Sequence, residues 1–293
     1  MENIGIIGTG VMGLTVAEKI IAAGYNLTIY DVFADAAKRA GNLGAQIDQT
    51  PKDVAKKSDI ILLFLPGPGE VIDCITSDDG LLSAIKPGSL IVDMSTSDPD
   101  VSVKMANLAE KKGVVFLDAP VLGRPITVGQ WALPAGGKEE AIERCKPLFK
   151  IFAANIFHAG PVGAGHKIKL LNQMMFGAIN AMTAEMMAIA EKIGIEPRRL
   201  FEIITASQAG TISNLFKELG SRVAEGNYED PTFTVDLLVK DMKLAVQMAK
   251  QNNAPPLLGR AIEFINEVSQ AQGLGNKDTS IMWTSYQGIW TGK

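Results

Sequence analysis

Through its first half the chain alternates short apolar runs with longer amphipathic stretches. Asn3 to Ile7 is an apolar run, and a helical pattern carried by Leu14, Ala17, Ile20 and Ile21 follows it and ends at Gly24. Further runs occupy Leu27 to Tyr30, Ile60 to Leu65, Ser89 to Asp93 and Val114 to Leu117. Turn residues bracket them: Pro66-Gly67-Pro68-Gly69 after one, Pro87-Gly88 before another, and Asp98-Pro99 where the next helix should start. Uninterrupted apolar strands that alternate with helices predict a mainly parallel, doubly wound sheet. After Ile156-Phe157-His158 the pattern changes, and from Gly165 onward only helical periods remain. Ile168, Leu171, Met175, Ile179, Met182, Met186, Ile189 and Ile193 recur at three- and four-residue steps. They predict a long helix, opened by Gly163 and Gly165, closed by Gly194 and buried on several sides. Helices are also predicted from Pro197 to Thr205, Thr211 to Ala224 and Val235 to Gln251, with a last long one starting at Pro255-Pro256. The fold class is therefore α/β, with residues 1–162 forming the sheet domain and residues 163–293 an all-α C-terminal domain.

Composition narrows the function. The chain has 293 residues, 47% hydrophobic and 20% charged, which is enough apolar material for sizeable cores. A net charge of −4 without a basic run argues against nucleic acid or an anionic membrane surface as partner. The two cysteines, Cys74 and Cys145, have no metal-ligand spacing, so no metal site is expected. The N-terminus enters a strand pattern directly, and together with the sparse cysteines this suggests a cytoplasmic protein. The long apolar helix carries Lys169, Asn172, Gln173, Glu185 and Glu191, which suits a transmembrane span poorly.

The first strand leads into Gly8-Thr9-Gly10-Val11-Met12-Gly13, and the helix begins at once. This is the dinucleotide fingerprint in its strand–turn–helix context, so the sheet domain is expected to be Rossmann-type. Pyrophosphate would rest on the helix N-terminus, where N–H groups and the dipole favour anions. Asp31 closes the second strand about 20 residues past the glycines, where an acid binds ribose hydroxyls and repels a 2′-phosphate. NAD is expected rather than NADP. Ligands of such sheets bind beyond the carboxyl ends of the strands. Leu65-Pro66, Ser95-Thr96 and the loop Val121-Leu122-Gly123-Arg124 all fall there. On the long helix Lys169, Asn172 and Gln173 share one face, either a solvated first turn or a catalytic face.

Taken in order, these residues resemble the β-hydroxyacid dehydrogenase family. The resemblance is carried by Gly8-x-Gly10-x-Met12-Gly13, Asp93-Met94-Ser95-Thr96, Asp118-Ala119-Pro120-Val121, Gly163-x-Gly165-x-x-x-Lys169-x-x-Asn172-Gln173 and Lys240-Asp241-Met242-x-Leu244-Ala245. It implies that Lys169 is the general acid/base for hydride transfer between nicotinamide and a short hydroxyacid/semialdehyde pair. It further implies that Asn172 binds substrate or orients the lysine and that Gln173 and Asp241 lie at the substrate. Lys240 and Thr96 would line the nicotinamide site, and Phe233 would close the pocket. His166 is read as structural. The family implies homodimers or homotetramers through the long helix.

One departure stands out. The family usually continues Asp-x-Pro-Val with Ser-Gly-Gly, and the serine helps hold the substrate carboxylate, but this chain has Leu122-Gly123-Arg124-Pro125. Leu122 offers no hydroxyl. Arg124 offers a fork for a carboxylate, sulfonate or phosphate, or simply lies at the surface. A Gly-Arg pair at this place also resembles the sulfolactaldehyde reductase branch. Two other readings share the architecture. An imine reductase usually replaces the lysine with Asp or Tyr, and a catalytically silent dimeric binding module loses it.

Overall fold

In a computed structural model, residues 2–206 and 213–291 are described. The chain divides into two compact units, Met1–Lys169 and Leu170–Lys293.

The first unit is an eight-stranded sheet flanked by helices. Its strands are β1 (Ile4–Ile7), β2 (Leu27–Tyr30), β3 (Gln46–Ile47), β4 (Ile60–Leu63), β5 (Leu90–Asp93), β6 (Val115–Asp118), β7 (Trp131–Gly136) and β8 (Ala153–Gly160), in the order β3-β2-β1-β4-β5-β6-β7-β8. All pairs are parallel except β6 with β7. The helices are α1 (Val11–Ala22), α2 (Ala34–Asn42), α3 (Pro51–Lys57), α4 (Pro68–Thr76), α5 (Pro99–Glu110) and α6 (Glu139–Phe149). β1, β4 and β5 are buried at every position, as parallel strands covered on both faces must be. Successive side chains point to opposite faces and feed two cores. Ile4, Ile6, Ile60 and Leu62 join Val16, Ile20, Trp131, Phe149 and Phe152 on one face. Ile7, Ile61 and Leu63 join Val54, Val71, Ile75, Met105 and Phe116 on the other. The predicted strands are present, but β3, β7 and β8 gave no clear signal. β3 has 2 residues, both exposed. β7 carries Pro134 and Gly136, and β8 exposes much of its length.

Cys74 lies in one core and Cys145 in the other, both unoxidised. Burial pushes the Cys145 thiol up to about 12 and raises Cys74 as well. Thiolate is the reactive form, so neither should react with an aromatic disulfide reagent in the native protein, while both should react in denaturant. Titration of native thiols checks this, and fast native labelling at either position would contradict the packing.

The two units share α7 (Ala164–Lys192), which the division cuts between Lys169 and Leu170. The second unit continues with α8 (Pro197–Ala206), α9 (Asn214–Glu225), α10 (Val235–Gln251), α11 (Leu257–Ser269) and α12 (Met282–Thr291). No strand occurs there among the described residues. Thr234 and Ser213 cap α10 and α9 through their side chains. Of the helix expected from Thr211, Thr211 and Ile212 lie outside the described residues, and α9 starts at Asn214. A further helix, α12, comes after the one that begins past Pro255-Pro256.

The expectation that α7 is buried on several sides holds only in part within this chain. Leu171, Met182 and Ile193 are 58%, 64% and 67% exposed within this chain. The covered face of α7 is instead made by Ala181, Ala184, Met187, Ala188 and Ala190. Small residues there let neighbouring helices approach, and the larger side chains are left on the outer face. Among the described residues no helix is long and apolar enough to cross a membrane.

Candidate active site

In the first unit the residues singled out by sequence gather at the carboxyl edge of the parallel strands. Gly8, just past β1, has φ +90, and an added Cβ would overlap the Phe64 carbonyl oxygen. Glycine alone meets both demands. A Cβ on Gly13 would overlap the Gly8 carbonyl, so the third glycine sets how closely α1 approaches β1. A Cβ on Gly10 would meet nothing within 4 Å, which leaves the loop open to an approaching ligand. No side chain caps α1 and no acid lies in its first turn, so its N-terminal N–H groups suit an anion.

Asp31, just past β2, is tied to this loop. Its carboxylate accepts from Thr9 N at 2.6 Å, from Thr9 Oγ1 at 3.1 Å and from Phe33 N at 2.9 Å. Thr9 is buried, and its polar atoms serve to hold Asp31. Leu65, past β4, donates its N–H to Ser95 Oγ past β5 at 2.9 Å. Thr96 is half-buried next to Ser95, and Pro66 is exposed.

The β6 exit loop is clamped. Leu122 exchanges both backbone hydrogen bonds with Ala132 of β7, at 2.9 and 3.2 Å. Its N–H is thereby committed, which bears on the question of what replaces the missing serine hydroxyl. The Arg124 carbonyl accepts from Trp131 Nε1 at 2.8 Å and from Thr127 Oγ1 at 3.0 Å. Arg124 is half-buried. From α7, Lys169 Nζ donates to the Val121 carbonyl at 2.8 Å. The ammonium thus lies at the same edge of the sheet as the glycine loop.

In the second unit, Gln173 Nε2 donates to Asp241 Oδ2, and Lys240 Nζ lies 2.6 Å from Asp241 Oδ1. Asp241 and Gln173 are buried and hold each other, α7 to α10. Phe233 packs edge-on against Phe176, with ring centroids 5.2 Å apart. Asn172 is exposed on α7, one turn from Lys169.

Sequence reasoning gave no role to two buried acids, although Asp118 stands in one of the quoted motifs. Asp278 accepts from Thr232 N, Ser280 N and Ser280 Oγ, and so fixes the turn that carries Phe233 into α10. Asp118, at the end of β6, accepts from Gly163 N at 2.6 Å and His166 N at 2.8 Å. Burial raises the Asp118 carboxyl above its ordinary value, while His166 and the two backbone N–H groups pull it back. A strand-end aspartate with Gly-x-Gly far along the chain at a helix start was the available signal.

Comparisons with known proteins bear on family and fold. The family model described as the NAD binding domain of 6-phosphogluconate dehydrogenase matches residues 3–160. The one described as NAD-binding of NADP-dependent 3-hydroxyisobutyrate dehydrogenase matches residues 163–286. The mitochondrial 3-hydroxyisobutyrate dehydrogenase of Homo sapiens is 34% identical, covering 94% of this chain and 84% of its own. An NAD-dependent L-serine dehydrogenase of Pseudomonas aeruginosa is 31% identical, covering 96% of this chain and 97% of its own. The crystal structure of a 3-hydroxyisobutyrate dehydrogenase from Salmonella typhimurium superposes with a TM-score of 0.90 at 26% identity, covering 97% of this chain and 99% of that one.

Proposed function

Because this chain belongs to the β-hydroxyacid dehydrogenase family, whose members are NAD(P)-dependent oxidoreductases, we propose that it interconverts a short β-hydroxyacid and its semialdehyde with NAD, using Lys169 as general acid/base. The observation that carries the reading is Lys169 Nζ, held 2.8 Å from the Val121 carbonyl at the edge where the glycine loop lies. Both relatives quoted by name act, as their names say, on acids of the form HOCH2–CH(R)–COO−, with R a methyl or an ammonium group. That is the proposed substrate class.

The loop fits a dinucleotide: Gly10 leaves the approach open, and uncapped N–H groups at the start of α1 face the pyrophosphate position. NAD, when bound, supplies the hydride acceptor. In oxidation the unprotonated Lys169 amine takes the hydroxyl proton, and in reduction the ammonium returns that proton to the carbonyl oxygen and offsets the charge developing there. Asn172 binds substrate beside it. The family resemblance assigns Val121 to Arg124, Gln173, Phe233 and Asp241 to the substrate, and Lys240 and Thr96 to the nicotinamide. Buried Asp241 acts there through Gln173 and Lys240. Residues 1–162 form the cofactor domain in this reading, and residues 163–293 the substrate and assembly domain.

NAD over NADP is supported by Asp31 and by the residues just past it. Val32 and Phe33 are exposed apolar residues, and the first turn of α2 carries Asp35 and no cation. A 2′-phosphate would meet carboxylate repulsion and no counter-charge. Asp31→Ala should raise KM for NAD+ about 10- to 100-fold without raising KM for NADP+, because one charge-assisted contact is worth about 1.5–3 kcal/mol and the repulsion of a 2′-phosphate is removed with it. Wild-type preference for NADP+ in steady-state kinetics would contradict the assignment.

The exposed Leu171, Met175, Met182 and Ile193 support assembly into a homodimer or homotetramer, because monomers rarely leave such a stripe in water. A monomer by sedimentation at micromolar concentration would contradict this. The function itself is tested by monitoring NAD+ and NADP+ reduction with 3-hydroxyisobutyrate, L-serine and glycerate, and the reverse reaction with the corresponding aldehydes. Rapid NAD-linked turnover of one pair is expected. No turnover with any of them would contradict the proposal.

A further inference from the structure

Beneath the proposed site lies a cluster of polar groups wholly shut off from water. Asp93, Ser102, Asp118 and His166 are all 0% exposed. His166 Nε2 lies 3.1 Å from the Ser95 carbonyl, which can only accept, so Nε2 carries the proton. Nδ1 lies 2.7 Å from Ser102 Oγ, within hydrogen-bond distance. Asp93 and Asp118 each approach the ring at 3.9 Å. Desolvating this many polar groups is costly, and an apolar core of similar volume would be at least as stable. Stability therefore does not explain why the cluster exists.

Its connections do. The two Asp118 oxygens take the N–H groups of Gly163 and His166, immediately before and within the first turn of α7. This is an N-cap supplied from another element: it satisfies two N–H groups that the helix cannot, and it sets a negative charge at the positive end of the dipole. Two glycines make room for it. A Cβ on Gly136 would overlap Asp118 Oδ1, and one on Gly165 would lie 2.9 Å from Oδ2 and 2.7 Å from the Asp118 carbonyl. The His166 ring ties the same turn to Ser95, whose hydroxyl holds Leu65 N at the end of β4. One turn further along α7, Lys169 reaches Val121, three residues past Asp118 in sequence. One short segment of chain thus grips α7 twice, by a carboxylate at the helix start and by a carbonyl at the ammonium.

We propose that Asp118 is a positioning residue: its carboxylate, with the His166 ring, locks the start of α7 so that Lys169 Nζ is held against the Val121 carbonyl in register with the ends of β4 and β5. The inference rests on the proposed role of Lys169. Asp118 touches no reacting atom. Asp118→Asn keeps the shape but sets an amide N–H against one of the two backbone N–H donors. The first turn then shifts, and Lys169 is misplaced by a fraction of its working distance.

The test is a double-mutant cycle with wild type, Asp118→Asn, Lys169→Ala and the double variant, run on whichever of 3-hydroxyisobutyrate, L-serine and glycerate turns over fastest. NAD+ affinity is measured in parallel by quenching of protein fluorescence. If Asp118 acts through Lys169, Asp118→Asn lowers kcat about 10- to 100-fold, as misplaced catalytic groups do, with NAD+ affinity within about twofold. In the Lys169→Ala background it then lowers kcat no further, because the group it positions is gone. Equal losses in both backgrounds would show a general structural role and overturn the proposal. So would a kcat within about twofold of wild type in Asp118→Asn. Should Asp118→Asn fail to fold, His166→Gln enters the same cycle: it keeps an amide donor for Ser95 but loses the ring that links Ser95 to Ser102, and the same non-additivity is expected. The underlying reading fails in a different way, by undiminished turnover in Lys169→Ala alone.

Discussion

Replacing Lys169 with alanine should lower kcat/KM about 10²- to 10⁴-fold, the range that a positioned acid/base contributes. NAD+ affinity should stay near the wild-type value, because the glycine loop and Asp31 are untouched. Lys169→Arg separates charge from proton transfer. A guanidinium keeps the positive charge at the Val121 carbonyl but does not give up its proton at accessible pH. The arginine variant should therefore recover substrate binding with little of the lost kcat. Steady-state kinetics of the three proteins check this. Full activity in Lys169→Ala would remove the lysine from the mechanism, and full activity in Lys169→Arg would leave it only an electrostatic role.

Trp131→Ala should be the most destabilising single change in the sheet unit, costing about 3–5 kcal/mol, as large-to-small core substitutions of aromatic residues do. Trp131 is fully buried, packs edge-on against Phe152 at 6.2 Å, and donates its indole N–H to the Arg124 carbonyl at 2.8 Å. It also abuts Gly123, where an added Cβ would lie 2.7 Å from Trp131 Cγ. Losing it should free the Val121–Arg124 loop as well as open a cavity, so KM for the hydroxyacid should rise with the fall in stability. Trp131→Phe keeps most of the packing and removes the N–H, at a cost of about 1 kcal/mol. Urea unfolding and KM, measured together, check both variants. Loss of stability with unchanged KM would show that the loop's clamp does not bear on substrate.

Legibility from sequence tracked the strength of local signals. Ile4–Ile7, Ile60–Leu63 and Leu90–Asp93 were legible because strands buried on both faces must be continuously apolar. The glycine loop was legible because its first and third glycines answer steric demands that no other residue meets. α10 was legible to its ends because Thr234 caps a clean amphipathic period. β7 and β8 were not, since Pro134, Gly136 and exposed alternation blur the pattern, and the antiparallel join to β6 is a tertiary fact. For α7 the period was right and the buried face was not. A helix apolar all round does not declare which side its own chain covers, and in this chain the alanines with Met187 face inward while Leu171, Met175, Met182 and Ile193 do not. Among site residues, Lys169 and Asp31 stood in motifs. Asp118 and Gly163 stood in motifs too, but their pairing was not legible, because the two meet only through the fold. Trp131 and Arg124 are close in sequence, but their bond depends on an indole turned into the core.

The measurement that bears most directly on the proposed reaction uses 3-hydroxyisobutyrate and L-serine carrying deuterium on the hydroxymethyl carbon. Each is incubated with wild-type protein and NAD+, and the reduced cofactor is analysed by mass spectrometry and proton NMR. Direct hydride transfer from a β-hydroxyacid places one deuterium at nicotinamide C4 and slows the chemical step. Formation of NADH without label, or no NADH from either acid, would contradict it.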